Sequence, residues 1–261
     1  MSKIKAALKN FHNYRFLLTQ LITRNIKLKY RRSYLGVLWS LVEPILTMLV
    51  LSVVFGSLLG RGDKYFPVYV LSGRLLYSFF STGTKQAMKS LRANSSMIKK
   101  VYVPKYLYPL STCLSSYIIS LISLLDLFIV ILFMGMKITP YMLLAPVPII
   151  ILFLLTYGAS MILSSINVYF RDVEYMWDVF TMLIMYTCAI FYKVESFAGS
   201  LRQQVFQINP LYCLIKCFRD CIYGNPMDMG LLLYALVFAL GSCLVGTWIF
   251  RKKQDEFVLH L

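Results

Sequence analysis

The sequence predicts an all-α integral membrane protein. It reads as six transmembrane helices, an amphipathic N-terminal helix at the interface, a short cytoplasmic helix between the second and third spans, and a re-entrant helical hairpin on the outer side before the last span. Three observations predict this. The 261 residues are 59% hydrophobic and 15% charged, whereas soluble domains sit near roughly 45–50% and about 25%. The apolar residues gather in blocks of about 17–29, the length that crosses ~30 Å of hydrocarbon. The cations are shared unevenly between the two sets of connecting segments.

The blocks fall at 35–59, 68–84, 105–133, 141–164, 177–193 and 229–250. Segments 1–34, 85–105, 165–176 and 251–261 carry most of the 27 Lys and Arg residues. By the positive-inside rule both termini are cytoplasmic. The whole of 1–261 is then a single transmembrane domain. An interface helix occupies 1–34, five spans occupy 35–193, an outer hairpin occupies 194–228, the sixth span occupies 229–250 and a cytoplasmic tail occupies 251–261.

Each element has its own justification. In residues 3–30, Ile4, Leu8, Phe11, Leu18, Leu21 and Ile22 recur at three- and four-residue steps between Lys and Arg. A basic amphipathic helix of this kind lies along the inner membrane surface. Segment 85–104 is polar and basic, ends at Pro104 and reads as a short cytoplasmic helix, either a plain connector or a docking knob. Segment 194–228 holds two amphipathic stretches split by Asn209-Pro210, with Gly224 placed to close the second helix. Each is too short to span, so the pair is expected to dip part way into the outer leaflet against protein or a water-filled cavity.

Net charge of +16 does not indicate nucleic-acid binding, because the cations lie between apolar blocks rather than in one basic domain. The first thirty residues are too polar for a cleaved signal peptide. The six cysteines form no C-x-x-C pair. Cys213, Cys217 and Cys221 line one helical face, and packing accounts for them better than metal, since no fourth soft ligand is near. No G-x-x-x-x-G-K-[ST] phosphate loop occurs, and no catalytic constellation does either. Catalytic and metal-ligating residues are therefore assigned to none, and no cofactor is expected in this chain. Asp172 and Glu174 beside Arg171 read as a salt-bridged inner turn.

Charges inside apolar blocks are costly unless paired or hydrated. Arg74 and Asp126 lie at similar depth in adjacent antiparallel spans, which predicts an ion pair between them; the rival is that each faces an aqueous channel. Glu43-Pro44 interrupts the first span, where Pro44 either kinks a long helix or starts a new one. Glu43 then points to a polar cavity or a nearby cation.

KLKYRRSYLGVLWSLVEPILTMLVLSVVFGSLLG, SSMIKKVYVPKYLYPLS, NVYFRDVEYMWDVF, INPLYCLIKCFRDCIYGN and FRKKQDEFVLHL occur in that order. Together they resemble the permease subunits of type-2 ABC exporters for cell-surface polysaccharides such as O-antigen and teichoic acid. The resemblance implies a channel-forming subunit in the bacterial plasma membrane, exporting polyprenyl-diphosphate-linked polymer. It implies a homodimer driven by two copies of an ATPase subunit that binds ATP and Mg. An ABC-2 permease for another amphiphile, a drug or a lipid, is the alternative.

The resemblance also implies roles for residues. Residues 85–98 would form a coupling helix in the ATPase cleft, with Lys89, Arg92, Asn94, Met97 and Ile98 as contacts. The first and fifth spans would line the path, and 196–223 would form gate helices. Arg24, Lys27, Lys29, Arg31 and Arg32 either collect the lipid diphosphate or simply set topology. Trp39, Glu43, Tyr77, Phe80, Trp177, Phe180, Tyr186 and Phe191 are candidates for the path, since aromatic rings offer sugars sliding contacts. Interfacial anchoring or packing is the competing role for the aromatics. Two departures from the family pattern stand out. The fifth span ends CAIFYKVESF without a Ser-Pro break, so a softer bend is expected, and Arg74 replaces a small or apolar residue.

Overall fold

The computed structural model describes residues 2–31, 33–56, 63–100, 103–192 and 206–260, with side chains from Tyr14 onward. Among these residues the chain is helix, turn and loop without a strand. Helix α1 runs Ser2–Tyr30, α2 Trp39–Gly56, α3 Phe66–Ala93, α4 Ser95–Lys100 and α5 Leu107–Phe133. Then come α6 Pro146–Tyr169, α7 Val173–Thr187, α8 Pro210–Tyr223, α9 Met229–Lys253 and α10 Phe257–His260.

Among the described residues, four helical segments are long and apolar enough to cross a membrane: Gly36–Phe55, Leu107–Phe133, Pro140–Tyr169 and Met229–Lys253. The other two expected spans differ for physical reasons. The second lies within α3, a 28-residue helix made less apolar by Arg74, Lys85, Lys89 and Arg92. The fifth lies in α7, whose 15 residues reach only about 22 Å at 1.5 Å per residue.

The cytoplasmic helix expected over 85–104 is two pieces. Residues 85–93 continue α3 without a break, and only α4 stands apart. Nothing in KQAMKSLRA stops a helix, so α3 runs on until Asn94 caps it.

Helix α1 is the expected amphipathic helix, but it does more than lie on a surface. Leu18 and Leu21 are buried against Leu91, Ile98, Leu107, Tyr108, Phe250 and Phe257, forming a small second core. The ends of α3, α5, α6 and α9, with α4 and α10, supply the partner that the sequence alone did not reveal. A larger core fills the bundle around α3, α5, α6 and α8.

Helices α6 and α9 approach closely through glycine. A Cβ at Gly158 would sit 2.6 Å from the Cys243 nitrogen, and one at Gly246 would sit 2.6 Å from the Gly158 carbonyl. Small residues permit such contact where lipid offers no hydrophobic drive between helices. The second arm of the outer hairpin forms as expected. The Asn209 side chain accepts from the Leu211 N–H at the start of α8, and Gly224 closes it at φ 76°. The first arm lies outside the described residues.

Candidate functional site

Helices α1, α2, α3 and α5 converge on a cleft of ≈ 230 Å³. Its walls are Lys29, Tyr30, Trp39, Ser40, Glu43, Pro44, Arg74, Leu75, Ser78, Phe79, Thr82, Ser116, Ile119, Ser120 and Ser123. Helical spacing explains the hydroxyl lining. Ser78 and Thr82 are four apart on α3, and Ser116, Ser120 and Ser123 follow at four and three on α5, so each set shares one face. Arg74 to Thr82 spans about 12 Å along the helix axis. The cleft thus runs along the middle of α3, beside the start of α2 and the end of α1.

Pro44 has a structural answer here. A proline inside a helix leaves the carbonyl four residues earlier without its N–H. That carbonyl belongs to Ser40, and the Ser123 hydroxyl donates to it at 2.8 Å. Of the two accounts left open by the sequence, α2 continues through Pro44. Its 3-10 entry over Gly36–Leu38 follows a left-handed turn at Gly36 (φ 53°).

The expected Arg74–Asp126 pair is not formed. Arg74 Nη2 lies 3.9 Å from Glu43 Oε1, because α2 packs against α3 and α5 and carries its carboxylate into the cleft. Asp126 is buried on α5 among Leu127, Val130 and Ile131, and its Oδ2 has no hydrogen-bond partner among the described residues. Arg74 has Glu43 of α2 as its ionic neighbour instead, and Asp126 does not border the cleft that Arg74 enters.

The basic elbow is divided among separate tasks. Lys29 borders the cleft, where burial lowers its pKa and Glu43 works in the opposite direction. Tyr30 is pushed up by burial and stays a neutral phenol. Arg24 donates to the Asn94 side chain at 3.0 Å, tying α1 to the α3–α4 junction. Lys27 and Arg31 are exposed, and Arg32 lies outside the described residues.

The path aromatics also separate. Trp39, Phe180 and Tyr186 are exposed. Tyr77, Phe80 and Phe191 are buried, so within this chain they are packing residues rather than an open lining. Tyr77 donates to the Thr181 carbonyl at 2.9 Å. Phe191 stacks on Phe55 with centroids 5.3 Å apart. Trp177 is half-buried between Phe80 and Phe180, and its indole donates to the Thr84 hydroxyl at 3.0 Å.

At the C-terminal end of α3, Lys89 and Arg92 turn toward Glu174 at 3.2 and 2.8 Å, and Lys85 meets Asp178 at 2.8 Å. Glu174 therefore pairs across to α3, not with its neighbour Arg171. Burial would raise the Glu174 carboxyl, but hydrogen bonds from Asn167 and Lys89 and the charges of Lys89 and Arg92 hold it below its ordinary value. Ile98, expected as an ATPase contact, is buried in the small core with Leu18 and Leu21, while Met97 is exposed. Spacing could have revealed the pairing: cations at 85, 89 and 92 and acids at 174 and 178 form matching stripes on two helices.

Arg219, in the 194–228 segment, was not singled out from the sequence. It is buried, donates to the carbonyls of Ala189 at 3.0 Å and Tyr69 at 2.9 Å, and lies 3.5 Å over the Tyr69 ring. Its place four residues after Ile215 and three before Ile222, on the buried face of α8, was the available signal. The segment it holds departs from expectation. Helix α7 stops at Thr187, and Ala189 takes a left-handed φ of 49°, a sharp break rather than a soft bend. Donors from Arg219 and Tyr69 to the Ala189 carbonyl hold it in place of a proline.

Comparison with known proteins agrees with this architecture. The O-antigen export system permease protein RfbA of Myxococcus xanthus is 26% identical over 252 residues, covering 95% of this chain and 96% of its own. RfbA of Klebsiella pneumoniae is 25% identical, covering 92% and 93%. The polysialic acid transport protein KpsM of Escherichia coli is 20% identical, covering 91% and 93%. The profile of the family described as ABC-2 type transporter matches residues 17–223. This chain is an integral membrane protein and belongs to the ABC-2 type transporter family.

Proposed function

We propose that this chain is the channel-forming permease of a polysaccharide exporter. Two copies pair in the bacterial plasma membrane with both termini cytoplasmic. A separate subunit, present twice, binds ATP with Mg and drives the movement of polyprenyl-diphosphate-linked polymer outward. The observation that carries this reading is the end-to-end similarity to relatives named for O-antigen export and polysialic acid transport. The missing phosphate loop is consistent with fuel handled elsewhere.

The proposed topology keeps six spans. In it α3 crosses despite its polar residues, and α7 crosses with the broken segment after Thr187. Lys27, Arg31 and Arg32, outside the cleft that Lys29 borders, would gather the anionic headgroup at the inner surface, at about 1 kcal/mol per cation. Lys89, Arg92, Asn94 and Met97 would stand near the ATPase. Trp39, Phe180 and Tyr186, exposed on the single chain, would meet sugar in the paired assembly.

The test is reconstitution. The purified chain and its ATPase partner, in vesicles carrying a polyprenyl-diphosphate oligosaccharide, should move the glycan across only with ATP and Mg. Transport of a lipid or drug but no glycan would favour the amphiphile alternative. Activity from a monomer would refute the paired conduit.

A further inference from the structure

Arg74 is a cation near the middle of the bundle whose one ionic neighbour is loosely placed. At 3.9 Å, Glu43 attracts it without a hydrogen bond, since N–H···O bonds run 2.7–3.2 Å. No hydrogen bond from its guanidinium is found among the described residues, though that group carries five donors. Intramembrane charge of this kind marks a functional position. The cleft that receives it is lined with the hydroxyls of Ser78, Thr82, Ser116 and Ser120, and Trp39 lies at its wall. Hydroxyls and an aromatic face are what a sugar ring binds.

Charge and size narrow the ligand. The ionisable groups on the walls are Lys29, Glu43 and Arg74, with Tyr30 neutral. Two cations against one carboxylate leave one positive charge, and the Glu43 side chain, 62% exposed, leaves the cleft open to a ligand that balances it. A single oxyanion balances it; a diphosphate overshoots. The ≈ 230 Å³ volume falls below the ~300–1,000 Å³ of pockets that enclose drug-sized ligands, so it suits one monosaccharide unit.

We propose that this cleft is a binding subsite for an acidic sugar unit. Arg74 receives the sugar carboxylate as a fork, the α3 and α5 hydroxyls take its ring hydroxyls, and Glu43 restrains binding until the carboxylate displaces it. The inference rests on the polysaccharide reading and adds to it a preference for polymers that bear carboxylates. Arg74 is then a specificity residue.

The test uses binding by the purified chain, without ATPase. Trp39 fluorescence, in a Trp177→Phe/Trp248→Phe background, reports the cleft. A glucuronic-acid disaccharide, the matching neutral disaccharide and methyl diphosphate are titrated separately. The acidic disaccharide is expected to bind at least tenfold more tightly than the neutral one. Arg74→Gln should abolish that preference, and Glu43→Gln should widen it severalfold. Opposite effects from two neighbouring substitutions cannot both arise from misfolding.

Equal binding of the two disaccharides, a preference that survives Arg74→Gln, or methyl diphosphate binding tighter than that of the acidic sugar and lost in Arg74→Gln overturns the proposal. Failure of the export reading looks different. A chain that binds acidic sugar selectively but moves no glycan in vesicles refutes export alone. A chain that exports polymer without any acidic preference refutes only the subsite.

Discussion

Gly73→Ala should destabilise the protein, although alanine is the better helix former. Gly73 lies within α3, where replacing glycine gains roughly 0.5–1 kcal/mol. Its new Cβ, however, would sit 2.4 Å from Arg219 Nη2. An arginine tip normally moves aside at little cost. This one is held by the Tyr69 and Ala189 carbonyls and by the Tyr69 ring. Moving Nη2 breaks its bond to Tyr69, and a hydrogen bond to a charged group contributes about 1.5–3 kcal/mol. The balance is a loss of about 1–2 kcal/mol, or roughly 2–8 °C in thermal midpoint for a chain of this size. Thermal unfolding in detergent measures it. An Arg219→Met background supplies the control: with the guanidinium gone, Gly73→Ala should become neutral or slightly stabilising, a coupling of about 2 kcal/mol. If Gly73→Ala raises the midpoint with Arg219 present, the claim that Arg219 is firmly held is wrong.

Ser123→Ala should cost about 1–3 kcal/mol, because the Ser40 carbonyl then lacks any donor beneath Pro44; in a Pro44→Ala background, where the N–H returns, the same change should be nearly neutral by thermal unfolding. Gly158→Ala should cost about 1–3 kcal/mol or more by forcing α6 from the α9 backbone, and should lower the yield of folded protein after detergent extraction. Glu174 titrates lower in the folded chain than unfolded, so its contribution is complete at neutral pH. It begins to fade as pH drops below the ordinary value of 4.5 and disappears as the pH passes through the lowered folded value. Glu174→Gln should therefore flatten the acid side of a stability–pH profile and leave the difference from the parent constant above pH 6.

Much of this chain was legible because bilayer constraints are coarse. Blocks of apolar residues between basic segments announce spanning helices whatever their neighbours are. The amphipathic periodicity of α1 and the Asn209 and Gly224 signals of α8 are local, and those elements appear where expected. The break after α7 was the hardest local feature. Ala189 carries no turn signal, and its left-handed backbone depends on donors from Tyr69 and Arg219, residues 120 and 30 positions away in sequence.

The candidate site was legible in its parts and not in its assembly. Lys29, Trp39, Glu43 and Arg74 were each singled out, but for three different roles, and the structure places all four in one cleft. The hydroxyls of α3 and α5 drew no notice, because serine and threonine in an apolar helix are common and silent until two helices bring them face to face.

By itself the sequence determined that the chain is helical, lies in a membrane and carries its own helix caps. These follow from side-chain hydropathy, charge and short-range spacing, which act whatever the packing. Only the tertiary structure decided that Arg74 meets Glu43 and not Asp126, that Glu174 reaches Lys89 and Arg92, and that Arg219 is buried. Depth along a helix can be counted from residue numbers, but the direction a side chain faces in the bundle depends on which helix packs beside it. In a low-dielectric interior that direction decides which charges find partners.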